Sequence, residues 1–125
     1  MAEKKVRMII AADVATREWI AEATKEIGCF DIVCATDDGV ECLKAVGRLW
    51  PEVIILGVEL RRMDGIEVVR RIKSKYQAPK CLVLNQYMTL NDYLAQAGAD
   101  SCISVPCTRG ALQRHLESLV LVPVS

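Results

Sequence analysis

Short apolar runs alternate with amphipathic segments along the whole chain. Each apolar run has the length of a strand, and most of its successive positions are hydrophobic, which is typical of a strand covered on both faces. The strands that this pattern predicts are Val6–Ala11, Asp31–Ala35, Glu52–Val58, Lys80–Leu84 and Ser101–Val105. Since a helical segment follows each strand, the pattern predicts a parallel sheet with helices on both faces.

Apolar residues between the strands recur at helical spacing. The residues expected to face the core are Trp19, Ile20, Ala23 and Ile27 in the first helix, Val40, Leu43, Val46 and Trp50 in the second, Ile66, Val69 and Ile72 in the third, and Leu112, Leu116 and Leu119 in the last. Asp38, Asp64 and Thr108 are predicted N-caps, and Gly28 is a predicted stop. A shorter fourth helix is predicted at Leu90–Ala97.

Composition narrows the class of protein. The chain has 125 residues, 52% of them hydrophobic, and a formal net charge of +0 from 16 basic and 16 acidic residues. We expect one domain over residues 1–125, with a core at about 5–120 and a tail or the start of a linker at 121–125. The balanced charge gives no reason to expect nucleic acid or a membrane surface as a partner. With no signal peptide or apolar span, a cytoplasmic protein is expected.

Six cysteines raise the question of disulfides or a metal site. Four of them, Cys34, Cys42, Cys81 and Cys102, lie inside apolar runs, where a free cysteine behaves as a small hydrophobic residue. No pair has CxxC spacing, and His115 is the one histidine. We therefore expect reduced structural cysteines, with a redox role and a metal site as less favoured alternatives.

A site in a parallel sheet of this kind lies beyond the carboxyl ends of the strands. That rule indicates the segments Ala11–Val14, Gly57–Glu59, Asn85–Tyr87 and Val105–Cys107. The sequence has neither a GxGxxG nor a GxxxxGK[ST] motif, which disfavours the nucleotide-binding versions of this architecture. A lone histidine on a predicted surface helix likewise argues against an enzyme.

Three ordered motifs resemble a known family. PEVIILGVELRRMDGIEVVRRIK, from residue 51, closely resembles the middle of a bacterial response-regulator receiver domain. DDGVECLK resembles the start of that family's second helix, and AGADSCISVP resembles its Ala-Gly-Ala turn, fifth strand and Lys-Pro bend. The resemblance implies a flavodoxin-like, doubly wound five-stranded parallel sheet with strand order 2-1-3-4-5.

The resemblance also locates the family's phosphorylation site. Counting back without a gap from Met-Asp-Gly at residues 63–65, the acceptor aspartate corresponds to Gly57. The acidic pair after the first strand corresponds to Ala12 and Asp13, and on an alignment shifted by one residue neither acidic position would be filled. The hydroxyl residue that ends the fourth strand corresponds to Asn85, and the lysine that ends the fifth corresponds to Val105.

These replacements lead us to expect neither a phosphoryl acceptor nor a Mg²⁺ site. Mg²⁺ requires several oxygen ligands in near-octahedral geometry, and Asp13 alone is a poor site. Glu59 could add a second carboxylate, although in the family that position offers its backbone carbonyl. No cofactor, metal or catalytic residue is therefore expected.

The resemblance implies a phosphorylation-independent receiver that acts as a protein-interaction or regulatory module in bacterial signal transduction or transcription control. Family members commonly bind partners, or a second copy, through the fourth helix, fifth strand and fifth helix. The candidate partner-binding residues are Tyr87, Tyr93, Gln96, Cys102, Arg109 and Gln113. An output domain could follow residue 125. The alternative is a ligand-responsive receiver that binds a small molecule near Asp13, Gly57, Asn85 and Val105.

Overall fold

A computed structural model describes residues 5–76 and 79–120. It contains a five-stranded parallel sheet in the order β2-β1-β3-β4-β5, as the sequence predicts. The strands are β1 Val6–Ala11, β2 Phe30–Thr36, β3 Val53–Gly57, β4 Lys80–Asn85 and β5 Ser101–Ser104. The helices are α1 Val14–Ile27, α2 Gly39–Leu49, α3 Gly65–Lys75, α4 Asn91–Ala97 and α5 Arg109–Leu119. The tail expected at 121–125 lies outside the described residues.

The core lies on both faces of the sheet, because alternate residues of a strand point to opposite sides. Met8 and Ile10 pack in one cluster with residues of α1 and α5, such as Ile20 and Leu112. Ile9 and its neighbours pack in a second cluster with residues of α2, α3 and α4. Within the described residues, no helix is long and apolar enough to cross a bilayer.

Side-chain caps fix where the helices begin. Asp38 accepts a hydrogen bond from the backbone N–H of Glu41, and Thr108 accepts one from that of Ala111. Asp64 caps α3 in the same way. These three caps are as predicted, and each satisfies a backbone donor that the first helical turn leaves unpaired.

The prediction that Trp50 faces the core is wrong. The α2 helix ends at Leu49, and Trp50 has a left-handed backbone conformation with φ of 52°. The helical spacing from Val46 therefore does not continue, and Trp50 is 73% exposed. Val40, Leu43 and Ile66, also predicted to face the core, are half-buried at its margin.

Candidate functional site

A cavity of about 200 Å³ opens at the carboxyl ends of the strands. We call it the strand-end pocket, and its lining residues are Ala12, Asp13, Thr16, Gly57, Val58, Glu59, Leu84, Gln86, Tyr87 and Val105. Five of the six predicted pocket residues are therefore brought together here. The sixth, Asn85, is not among the lining residues.

Asp13 is held by the helix that follows it. Its carboxylate accepts hydrogen bonds of 2.9 Å from the backbone N–H and the hydroxyl of Thr16, and it caps α1. These bonds, the backbone bond first, hold the pKa of Asp13 below its usual range, so the side chain is ionised at neutral pH. The carboxylate thus contributes negative charge to the pocket, while both of its oxygens already have a donor.

Gly57 ends β3 and leaves open space in the pocket. A Cβ atom at this position would meet no other atom within 4 Å. Gly65, after the turn, differs because a Cβ there would overlap the carbonyl oxygen of Gly57. Its N–H donates to Val58 at 2.7 Å, which brings the two backbone segments together. The turn therefore requires glycine at position 65, whereas nothing around position 57 excludes a side chain.

The predicted location of Asn85 in the pocket is wrong. Asn85 is buried, its side-chain amide donates to Asn91 at 2.7 Å, and its side-chain oxygen accepts from the backbone N–H of Tyr87 at 2.8 Å. Both ends of the amide are therefore used by the segment that leads into α4. Asn85 stabilises this loop instead of facing the cavity.

Tyr87, predicted as a partner-binding residue in the loop before α4, lines the strand-end pocket and is 38% exposed. Its hydroxyl donates to Glu59 and accepts a hydrogen bond of 2.7 Å from Gln86. The bond to Glu59 raises the pKa of Tyr87, because a phenolate there would face a carboxylate. This network joins the β3–α3 loop to the β4–α4 loop. Nothing in the sequence pattern indicated it, since the two residues are distant in the chain and carry no motif.

Two ion pairs link the loop after β2 to the loop after β3. Arg62 donates to Asp38 at 2.5 Å, and Arg61 donates to Asp37 at 3.0 Å. Backbone bonds reinforce the link, since Arg61 accepts from Gly39 and donates to Asp37. The Arg62 guanidinium holds the pKa of the Asp38 carboxyl below its usual range. Sequence analysis found the Asp38 cap but missed both pairs.

The pocket residues do not fit a Mg²⁺ ion. Among the described lining residues, Asp13 and Glu59 carry carboxylates, and both side chains already accept hydrogen bonds from neighbours. Gly57 adds no side-chain oxygen. Nowhere in residues 5–76 and 79–120 do three or more His, Cys, Asp or Glu side chains form a group that could hold a metal ion. The set falls short of the oxygen ligands that Mg²⁺ requires.

Three of the predicted partner-binding residues lie on α4 and β5. Tyr93 is 60% exposed on α4, and Gln96 is exposed on the same helix. Cys102 is half-buried against the second core cluster, and this burial raises the pKa of its thiol. Tyr93 and Gln96 are therefore accessible on the predicted surface, whereas Cys102 is mainly a packing residue.

Arg109 and Gln113 are exposed on α5, as predicted, but on the side of that helix that faces α1. Arg109 pairs with Glu26 and, at 3.9 Å, with Glu22, both on α1. Gln113 lines a shallow cavity with the same helix and donates to Glu117 at 2.8 Å. These two residues therefore lie where α5 meets α1.

His115 is half-buried, and its Nδ1 lies 2.8 Å from the hydroxyl oxygen of Ser101. Ser101 is the first residue of β5, at the end of the sheet opposite to the strand-end pocket. The bond joins α5 to β5. Sequence analysis had placed His115 on an exposed helix surface, and this contact corrects that expectation.

Comparison with known proteins agrees with this architecture. The chain belongs to the response regulator receiver domain family, whose model matches residues 8–117. It is 30% identical over 112 residues to a protein-glutamate methylesterase/protein-glutamine glutaminase of Pseudomonas syringae pv. tomato. This alignment covers 86% of this chain and 31% of that protein. It is 33% identical over 86 residues to the response regulator MprA of Mycobacterium leprae. This second alignment covers 67% of this chain and 38% of that protein. The chain thus spans well under half the length of these relatives.

Solved structures show the same fold. The signal receiver domain of NarL from Mycobacterium tuberculosis superposes with a TM-score of 0.86 at 23% identity, over 93% of this chain and 96% of that one. The receiver domain of the sensor histidine kinase PA1611 from Pseudomonas aeruginosa, solved with a magnesium ion in its active-site cleft, superposes with a TM-score of 0.79 at 19% identity, over 92% and 97% of the two chains.

Proposed function

We propose that this receiver domain works without phosphorylation, as a non-catalytic interaction or regulatory module in the cytoplasm of a bacterium. One observation carries the proposal. The residue that ends β3, where the sequence resemblance locates the acceptor aspartate, is Gly57, and the space beside it is open. Glycine has no side chain to which a phosphoryl group could be attached.

The rest of the pocket supports the same proposal. Phosphoryl transfer depends on metal ions and cationic groups that offset charge on the transferring group. Val105 stands where the family has a lysine, and the carboxylates of Asp13 and Glu59 do not make a magnesium site. The lining residues would repel a phosphoryl donor through their negative charge and offer it no counter-charge.

Without this input, the equilibrium between receiver states must be set in another way. A ligand or modification shifts such an equilibrium only as far as it interacts differently with the two states. The domain would therefore present one binding surface regardless of phosphoryl donors. We propose that this surface is formed by α4, β5 and the side of α5 that bears His115, and that its partner is another protein or a second copy.

The relatives suggest where such a module acts. Receivers that align with this chain belong to longer proteins, named as methylesterases or as a response regulator. We propose that this chain serves two-component signalling or transcription control, either through an attached output domain or by binding a separate partner.

A cross-linked pull-down from the native host tests the surface and the phosphorylation independence together. The wild-type chain and the variant Tyr93→Glu/Gln96→Glu would be compared with and without acetyl phosphate. Tyr93 and Gln96 are exposed on α4, so their replacement should leave the fold intact. We expect the variant to lose the partner, and we expect acetyl phosphate to change nothing.

Lys44→Glu is the matched control, since it changes the net charge by the same two units as the double variant, but on the exposed surface of α2. If the α4 variant retained the partner, the proposal that α4, β5 and α5 form the binding surface would be refuted. Capture that requires acetyl phosphate would refute phosphorylation independence.

A further inference from the structure

A second cavity adjoins the strand-end pocket. It has a volume of about 300 Å³, lies between α1 and the segment that follows β5, and is lined by Ala15, Thr16, Trp19, Leu84, Val105, Pro106 and Cys107. We call it the side cavity. Thr16, Leu84 and Val105 line both cavities, so the two are neighbours across these three side chains.

The two cavities differ in chemistry. The side cavity is mostly apolar, with Trp19, Leu84 and Pro106 among its walls. The strand-end pocket holds the carboxylates of Asp13 and Glu59, and the donors that reach them, from Thr16 and Tyr87, are neutral. Among the described lining residues of both cavities, none is lysine, arginine or histidine. Two carboxylates without a cationic neighbour in the described lining therefore lie next to a mostly apolar cavity.

From this juxtaposition we propose that the two adjoining cavities together bind a small organic cation, with its ammonium group at Glu59 and Asp13 and its apolar or aromatic body against Trp19 and Val105. An ammonium group can donate several hydrogen bonds, and those to a carboxylate are charge-assisted. Burial of the apolar body removes hydrophobic surface from water. An anionic ligand of the same shape would be repelled.

Val105 contributes to the proposed specificity, because it is an uncharged residue that lines both cavities. A lysine at this position would bring its own ammonium group to the carboxylates and occupy the space through which a ligand would extend. The proposal goes beyond the interaction function proposed above, since it gives the domain a chemical input that is independent of phosphate.

A pair of probes of like shape and opposite charge tests the proposal. 2-Phenylethylamine and 3-phenylpropionate would each be titrated into the ¹⁵N-labelled chain, with amide shifts followed by NMR. We expect the amine to shift the amides of Thr16, Leu84 and Val105, which line both cavities, and the carboxylate to leave them unchanged. The proposal is overturned if the amine leaves these amides unmoved, or if both probes move them equally.

Three variants locate the interaction. Glu59→Gln should weaken amine binding about two- to fivefold, because it removes one ion pair at an exposed side chain. Val105→Lys should abolish binding, while Glu117→Gln, which removes a carboxylate from the far end of α5, should bind as the wild type does. Unchanged affinity in Glu59→Gln would contradict the assigned ammonium position. These results do not depend on partner capture, so failure here and failure of the interaction function can be told apart.

Discussion

At the scale of single residues, Gly65 and Gly57 differ in whether the surrounding structure would accept a side chain. Gly65 is required by the turn, because a Cβ would overlap the carbonyl oxygen of Gly57. Gly57 is not required by its surroundings, since a Cβ there would reach open space and its φ lies outside the left-handed region. The fold would therefore accommodate a side chain at position 57, and the glycine there changes the chemistry of the pocket without being needed for folding.

This contrast predicts opposite effects for the same substitution. Gly57→Ala should leave the free energy of unfolding unchanged or raise it by up to about 1 kcal/mol, because alanine restricts the unfolded chain. Gly65→Ala should lower it by about 1–3 kcal/mol, because the close backbone contact must open. Urea denaturation of both variants measures the difference. Equal losses would show that β3 needs glycine at position 57 as well.

Sequence analysis located most of the pocket but not its hydrogen bonds. Ala12, Asp13 and Gly57 follow from the strand ends and the resemblance, because both fix positions along the chain. The rotation of Asn85 toward Asn91 and the contact of Tyr87 with Glu59 do not follow, because they depend on side-chain partners from different loops. Such pairings leave no periodic signal in a single sequence.

At the scale of elements, the loop after β2 and the loop after β3 are joined by two ion pairs, one of which has a buried carboxylate. Asp38 is buried, caps α2 and accepts from Arg62, whereas Asp37 is partly exposed and pairs with the exposed Arg61. Exposed pairs contribute little to stability, while a buried carboxylate depends strongly on its partners. The Asp38 pair is therefore expected to dominate this link.

The lowered pKa of Asp38 predicts a dependence on pH. A carboxyl with a lower pKa in the folded chain stabilises the fold above its ordinary value of 3.8, and loses that contribution as pH falls through the folded pKa. Asp38→Asn keeps a capping oxygen but removes the charge. Its loss of stability relative to wild type should be largest near neutral pH and shrink below pH 3.8.

Denaturant unfolding from neutral to acid pH measures this difference, and Asp37→Asn is the control. We expect the control to show a much smaller effect, because the Asp37 side chain is 42% exposed whereas that of Asp38 is 5% exposed. A difference for Asp38→Asn that stays constant with pH would contradict the assigned ion pair.

The sequence predicts the presence of each strand and helix more accurately than the residues at which it begins and ends. The strand expected over Glu52–Val58 is Val53–Gly57, and the one expected over Ser101–Val105 ends at Ser104. The helix expected to continue to Trp50 stops one residue earlier. Hydrophobic spacing identifies the buried face of an element, but its ends depend on backbone hydrogen bonds and caps.

At the scale of the whole molecule, the sheet separates two core clusters. Cys42 and Cys81 lie in the cluster beneath α2, α3 and α4, and burial raises the pKa of each thiol to about 12. The other four cysteines are also free, and burial raises the pKa of their thiols as well. The cysteines therefore act as packing residues in this fold, in agreement with the position of four of them in apolar runs.

Thiol reactivity should report the opening of this core. Ellman's reagent at pH 8 requires a thiolate, so Cys42 and Cys81 should react only when the chain unfolds. Cys34, which is half-buried, should react faster. Cysteine-to-serine variants assign each reaction phase. Rapid labelling of Cys81 in the native state would contradict the described packing.

The central claim is that this receiver fold takes no phosphoryl group. The most direct measurement is intact-mass spectrometry after incubation with acetyl phosphate and Mg²⁺, with a receiver that retains its acceptor aspartate as the positive control. Our account predicts an unchanged mass for this chain while the control gains one phosphoryl group. A stoichiometric phosphoryl adduct on any residue of the strand-end pocket, such as Asp13 or Glu59, would contradict it.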